Sequence, residues 1–181
     1  MTSVYLPQRL HVAAFAKDSA QLAGHMALSA FPRLALEASR PSDVAARWSA
    51  RGELRSSAGE AEQVWLHLEA SMPLPMVCQR CLTEVEVMLQ VDRQFRFVAD
   101  EETAMDLDDE AEEDLLVLEK QFDLMALVED ELLMALPVVA RHEVCPTPVQ
   151  LEAVDEDFDA ALQDKPHPFA VLQKLKTDKD L

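Results

Sequence analysis

Two short motifs in this chain carry residue types that bind soft metal ions. A CxxC motif stands at 78–81, and an HxxC motif follows about sixty residues later at 142–145. Two residues between ligands let one turn direct both side chains at one ion, and tetrahedral Zn²⁺ binds Cys and His in such pairs. One interpretation is therefore a structural zinc site, provided that folding brings the pairs together, with the ligands Cys78, Cys81, His142 and Cys145.

The same cysteines allow two other interpretations. The CxxC motif can be a turn with small buried thiols, in which case His142 and Cys145 are incidental. A redox CxxC normally opens a helix that lowers the pKa of the first thiol, whereas here Pro75 precedes the motif and a strand pattern follows it. Three cysteines, an odd number, do not indicate a disulfide framework. The sequence establishes no cofactor, and zinc is the one that it suggests.

Catalytic side chains show no recognisable pattern. The five histidines are scattered, no serine stands in a GxSxG motif, and three glycines provide no phosphate-binding loop. His67 alternates with Trp65 and Glu69 on the polar side of a predicted strand, which is typical of a surface histidine. We therefore expect a protein that is not an enzyme. An RNA-processing enzyme with a carboxylate metal site stays open as an alternative, because the chain is so acidic.

The formal net charge of −18 belongs to the C-terminal half. Residues 1–99 contain ten basic and ten acidic side chains, and residues 100–181 contain six basic and twenty-four acidic ones. Ten carboxylates and no Lys or Arg fall within 100–114, which predicts a solvated, mobile acidic loop. Such a charge disfavours sequence-independent binding to nucleic acid and to anionic membranes, and it favours basic partners.

Two surfaces are candidates for contact with partners. We expect the acidic half to bind a basic protein through Asp106, Asp108, Asp109, Glu110, Glu129, Asp130 and Glu131. Any contact with RNA would be local and would lie in the neutral part of the chain, on Arg47, Arg51, Arg55 and Arg80. No stretch reaches about 18 apolar residues, and residues 1–11 lack the layout of a signal peptide. A cytoplasmic protein without membrane contact is therefore expected.

The hydropathy pattern predicts an α+β fold. Apolar and polar residues alternate over 64–72 and again over 85–97, which indicates two strands with one buried and one wet face. The sheet is expected to be largely antiparallel or a partly open barrel, with further strands at 44–55 and 115–118.

Two helices should flank this sheet. Apolar residues near helical spacing predict an N-terminal helix over 10–28 and a second helix at about 123–136, with Asp123 as its N-cap and Pro137 as its end. We expect a single α+β domain over 1–140, with the acidic loop at 100–114. A proline-punctuated, extended C-terminal arm should follow over 141–181.

Three separated blocks of the sequence resemble one bacterial family. They read VCQRC at 77–81, DLMALVEDELLMALPV at 123–138 and KPHPFAVL at 165–172. In this order they are similar to the YceD family, the large ribosomal RNA subunit accumulation proteins, over 77–176. The N-terminal third matches only loosely.

The resemblance implies a role in the accumulation or processing of large-subunit (23S) ribosomal RNA. Combined with the acidic charge, this role leads us to expect a basic ribosomal or ribosome-assembly protein as the partner. The resemblance supplies no catalytic residues. Some members of the family carry further Cys pairs beyond the ALP block that resemble a zinc ribbon. This chain departs from those members, because it has only His142 and Cys145 there. A zinc-dependent interaction module is a second alternative for the function.

Overall fold

A five-stranded sheet forms the centre of the molecule in a computed structural model, which describes residues 5–56, 62–109, 111–148 and 169. The strands lie in the order β1-β2-β3-β4-β5. The first four form an antiparallel meander, and β5 pairs in parallel with β4. The predicted α+β class is confirmed, with an open mixed sheet. The strands are Gln21–Ala27 (β1), Ala45–Arg55 (β2), Gln63–Val77 (β3), Glu84–Val98 (β4) and Asp114–Val117 (β5).

Helices cover the inner face of this sheet and close the core. The α-helices in the described part of the chain are Val12–Lys17 (α1), Leu34–Glu37 (α2), Glu101–Asp108 (α3) and Leu124–Met134 (α4). Helix α4 buries five apolar side chains of one stripe, as an amphipathic helix should. The largest fully buried side chains come from both layers: Leu10, Phe15, Phe31, Leu34, Leu66, Leu68, Met72, Leu74, Leu89, Phe95, Leu124 and Leu132.

Strand β3 continues through two prolines that the sequence pattern placed between strands. Its ladder with β4 runs from Val64 to Val77 and includes Pro73 and Pro75. Proline has no N–H to give to a ladder and is therefore confined to edges and bulges. The ladder with β2 ends opposite Ser71, so the β2 side of both prolines is already an edge. The missing N–H groups thus cost the sheet no hydrogen bond on that side.

The predicted N-terminal helix over 10–28 is wrong in its extent. Helix α1 ends at Lys17, Ser19 takes a left-handed conformation with φ of 47°, and the chain continues as β1. Leu22 and Met26 misled the helical interpretation because residues four apart share a face in a strand as well as in a helix. The alternating exposure along β1 shows that the period is two.

The predicted acidic loop at 100–114 contains regular structure. Residues Glu101–Asp108 form α3, and Asp100 caps it by accepting hydrogen bonds from the backbone N–H and the hydroxyl of Thr103. Carboxylates in a first turn, here Glu101 and Glu102, stabilise a helix through its dipole. The prediction of a mobile loop rested on the mutual repulsion of the carboxylates. Capping by Asp100 stabilises a helix in spite of this repulsion.

The predictions for β5 and α4 are confirmed within a residue or two. Asp123 is the N-cap of α4, where its carboxylate accepts hydrogen bonds from the N–H groups of Met125 and Ala126. The chain divides into two units, residues 1–145 and 146–181, and all these elements lie in the first. Most of the predicted C-terminal arm lies outside the described residues. The helices of the described ranges are too short or too polar to cross a lipid bilayer.

We predict that Gly52→Ala destabilises the protein by about 1–3 kcal/mol, a typical cost of overpacking. A Cβ atom there would lie 2.7 Å from the ring of Phe15 and 2.8 Å from the backbone of Ala16, because α1 crosses β2 at this point. The matched control is Gly24→Ala in β1, whose Cβ would have its three nearest neighbours in the Trp48 ring, the closest at 3.1 Å. Urea unfolding should show the larger loss for Gly52→Ala, and equal losses would contradict the close approach.

Candidate functional site

The structure brings together the four residues that the sequence proposed as metal ligands. One donor atom each from Cys78, Cys81, His142 and Cys145 lies within 4.8 Å of the other three. All three cysteines are free thiols. Cys78 is fully buried and the other three residues are half-buried. Three sulfurs and one imidazole therefore converge on one point beneath the surface.

A tight turn between β3 and β4 presents the two cysteines of the CxxC motif. The N–H of Leu82 donates to the carbonyl of Cys78, and the N–H of Cys78 donates to the carbonyl of Thr83. Leu82 closes the turn with a left-handed φ of 60°, which is uncommon for a residue with a branched side chain. The turn fixes both thiols on one side of the hairpin end.

The HxxC segment reaches this turn through a few specific contacts. The N–H of Gln79 donates to the carbonyl of Ala140, at 2.9 Å. His142 Nδ1 lies 3.4 Å from Cys81 Sγ, and the backbone N–H of His142 donates to Cys78 Sγ at 3.5 Å. Ala140 and Cys78 also join Val85 in a small apolar cluster, separate from the main core. The two motifs are thus held together by backbone bonds as well as by side chains.

Arg80 binds the HxxC segment instead of joining the other arginines. Its Nε donates to Cys145 Sγ at 3.0 Å, and its Nη2 donates to the carbonyls of His142 and Glu143. Of the four predicted RNA-contact residues, Arg80 is exposed in the turn that follows β3, away from Arg47 of β2. Strand β3 runs six residues past the Ser71 partner of Arg47, which is about 20 Å of strand.

The environment of Cys78 favours the thiolate. Burial raises the pKa of its thiol, but the N–H groups of Cys81, His142 and Arg80 donate to the sulfur and bring the pKa down to about 5. Hydrogen bonds with Cys78 and Cys81 raise the pKa of His142, against the effect of its burial. Thiolate sulfur is the form that binds metal ions.

The acidic candidates separate into exposed and engaged groups. Asp106, Asp108 and Asp109 are exposed at the end of α3 and in the residue after it, and in the described part of the chain no Lys or Arg pairs with them. Glu110 lies outside the described residues. The structure thus offers α3 as an acidic surface with free carboxylates.

Glu129 does not face water as predicted, and its side chain is therefore no contact surface. It is 5% exposed, and Oε1 accepts hydrogen bonds from the backbone N–H groups of Arg33 and Leu34. Its Oε2 binds the guanidinium of Arg33 at 3.1 Å, and Asp130 binds the same guanidinium at 2.6 Å. Glu131 is also largely buried, which raises the pKa of its carboxyl. Glu129 thus fixes the start of α2 against α4, while Glu131 lies 3.8 Å from the guanidinium of Arg93 on β4.

Three of the four predicted RNA-contact residues share the outer face of β2. Arg47 and Arg51 are exposed there, and in the described ranges no carboxylate pairs with them. Arg55 is already engaged: its guanidinium lies 4.1 Å from the centre of the Trp65 ring and contacts Glu53 and Gln94. Arg47 and Arg51 are therefore the free cations of this face.

A second group of possible ligands lies on this outer face, and the sequence did not single it out as a site. Donor atoms of His67, Glu69 and Asp92 lie within 4.8 Å of one another, with His67 Nε2 2.7 Å from Asp92 Oδ1. Strand register brings them together, since Glu69 and Asp92 are direct partners across β3 and β4. Glu69 and Asp92 are exposed and solvated, as surface carboxylates commonly are.

Comparison with known proteins identifies the family to which this chain belongs. A family model described as "Large ribosomal RNA subunit accumulation protein YceD" matches residues 66–176, more than half of the chain. The chain belongs to this family. The YceD match begins in β3 and includes the four converging Cys and His residues, α3 and α4. Strand β2, with Arg47 and Arg51, precedes it.

One curated member of the YceD family supports the assignment. The large ribosomal RNA subunit accumulation protein YceD of Haemophilus influenzae (strain ATCC 51907 / DSM 11121 / KW20 / Rd) is 34% identical over 110 residues. The alignment covers 60% of this chain and 63% of that relative, which is less than two thirds of its length. No solved structure matches the chain.

We predict that Glu129→Ala lowers the free energy of unfolding by about 1.5–3 kcal/mol, since it removes buried hydrogen bonds to a charged group and leaves two N–H groups unpaired. The neighbouring variant Asp130→Ala is the matched control, because it removes an exposed partner of the same arginine. Its cost should stay below about 1 kcal/mol. Urea unfolding of both variants measures the difference, and similar losses would argue against a buried role for Glu129.

Proposed function

We propose that this protein supports the accumulation of large-subunit ribosomal RNA as a non-catalytic factor, and that it acts by binding a basic ribosomal or ribosome-assembly protein through α3. Membership in the YceD family supports the ribosomal setting. The observation that carries the proposed contact is the state of the carboxylates on α3, which are ordered on a helix and yet unpaired.

The contrast within the acidic region supports this assignment. Asp114 and Glu113, where β5 begins, are held by Arg93 and Arg96 of β4. The exposed carboxylates of α3 and the residue after it have no such cation among the described residues: Glu101, Glu102, Asp106, Asp108 and Asp109. A dense, unneutralised row of charge steers a basic partner toward its site and accelerates association.

A helix presents its charges in a fixed pattern, which a mobile loop does not. Asp100 fixes the first turn of α3 through Thr103, and that hydrogen bonding lowers the pKa of its carboxyl. Met105 is 77% exposed on the same helix. An apolar side chain among charges adds burial to the electrostatic attraction when a partner covers it. The surface is therefore suited to one docking geometry.

We predict that Asp106→Asn/Asp108→Asn/Asp109→Asn reduces the capture of basic ribosomal or assembly proteins from growing cells. The captured amount should fall about tenfold, because the association that these charges steer becomes slower. The matched control is Glu37→Gln/Glu86→Gln/Glu119→Gln, which changes net charge equally at exposed carboxylates outside α3. Quantitative mass spectrometry of the captured proteins, after nuclease treatment, measures the effect.

Two outcomes would contradict this mechanism. Equal loss in both triple variants would make bulk charge, not α3, the determinant. Loss of the complexes after nuclease treatment would show that RNA, and not direct protein contact, joins this protein to its partners. For a complex held by α3, raising the ionic strength from about 0.1 M to 0.3 M should weaken capture, because the Debye length falls from about 10 Å to about 6 Å.

The free arginines of β2 provide the test of direct RNA contact. If RNA binds the outer face, Arg47→Gln/Arg51→Gln should weaken the crosslinking of the protein to ribosomal RNA and flatten its salt dependence, since each phosphate contact contributes to that slope. The control is Arg9→Gln/Arg40→Gln, a pair of exposed arginines outside β2, of which Arg40 pairs with Glu84. Unchanged crosslinking in the β2 variant would exclude this face as the RNA contact.

A further inference from the structure

We propose that Cys78, Cys81, His142 and Cys145 bind one Zn²⁺ ion in a closed, tetrahedral structural site. The site is independent of the contact proposed for α3, because it uses other residues at another end of the sheet. Its evidence is the convergence of two motifs that lie far apart in sequence.

The donor set fits zinc better than other common ions. Three thiolates and one imidazole are soft and borderline ligands, which select Zn²⁺ over Mg²⁺ or Ca²⁺. In a tetrahedral zinc site the metal–sulfur and metal–nitrogen distances of about 2.3 and 2.0 Å place neighbouring donors about 3.5–3.8 Å apart. The distance from Cys81 Sγ to His142 Nδ1 is 3.4 Å, and all four donors lie within 4.8 Å.

The surroundings are those of a structural site. Four protein donors leave no open position for a water or a substrate, in contrast to catalytic zinc. The turn at 78–83 is closed by its own backbone bonds, and the bond from Gln79 to Ala140 holds the second segment against it. Val85 and Ala140 pack on Cys78 and keep water from that side. These contacts hold both ligand pairs in place around the ion.

Arg80 supplies the charge that this donor set requires. Zinc with three thiolates carries a net charge of −1, and the guanidinium of Arg80 donates to the sulfur of Cys145. The same guanidinium binds the carbonyls of His142 and Glu143, and so orients the HxxC segment. Arg80 is therefore a positioning residue of the site. Outer partners of this kind typically change metal affinity about 10–100-fold.

The first test is the metal content of the full-length chain. The protein, without an affinity tag that contains histidine, is purified without chelators and its metals are measured by mass spectrometry. We expect one zinc per chain. Replacement by Co²⁺ should give the visible bands of tetrahedral cobalt and a thiolate-to-cobalt band in the near ultraviolet. Protein that is folded by circular dichroism, lacks zinc and takes up neither ion would overturn the proposal, as would a Cys78–Cys81 disulfide.

Variants then assign the ligands and the role of Arg80. His142→Asn should lose stoichiometric zinc, while His25→Asn, at an exposed histidine of β1, should retain it. Arg80→Gln should keep the cobalt spectrum but bind the ion about 10–100-fold more weakly in competition with a chelator. An unchanged affinity for the metal ion would show that Arg80 does not position the ligands. Zinc retained by His142→Asn would exclude the four-residue centre, even if a cysteine variant fails to fold.

Discussion

The pairing of β3 with β4 is the interaction on which the rest of the molecule depends. Fourteen residue pairs join the two strands, from Val64 to Val77 of β3. Their inner faces provide much of the core, and their outer faces carry the polar groups. One end of the hairpin forms the cysteine turn, and the other end runs into α3. About 40 Å of strand separates these ends, so the candidate metal site and the acidic surface can act without touching.

The sequence predicts those parts of the fold that depend on residues close to one another in the chain. The predictions of β3, of β4 and of the N-cap at Asp123 are confirmed, because each depends on a local pattern. The helix proposed over 10–28 failed because a spacing of four is ambiguous between helix and strand. The prolines also led to a wrong prediction of where β3 ends. Proline interrupts a strand only where a neighbouring strand needs the N–H that proline lacks.

The candidate site was predictable in its ligands but not in its surroundings. The CxxC and HxxC motifs identify the four candidate donors, because Cys and His at this spacing are typical metal ligands. The role of Arg80 depends on where residues 142–145 come to lie, which no local pattern contains. The burial of Glu129 has the same origin: its carboxylate faces α2, 96 residues earlier in the chain. Charge near a helix surface is visible in sequence, but the partner that neutralises it is not.

The Arg33–Glu129 contact and the bridge between Leu10 and Phe122 also bear on the order of folding. The meander from β1 to β4 joins strands that are neighbours in sequence, so its hairpins can close while the chain is still being made. The N-terminal segment and α2 cannot complete their packing until the ribosome has synthesised α4. Until then the inner face of the sheet lacks the cover that α4 provides, and the nascent chain exposes apolar surface beside the particle whose RNA the family is named for.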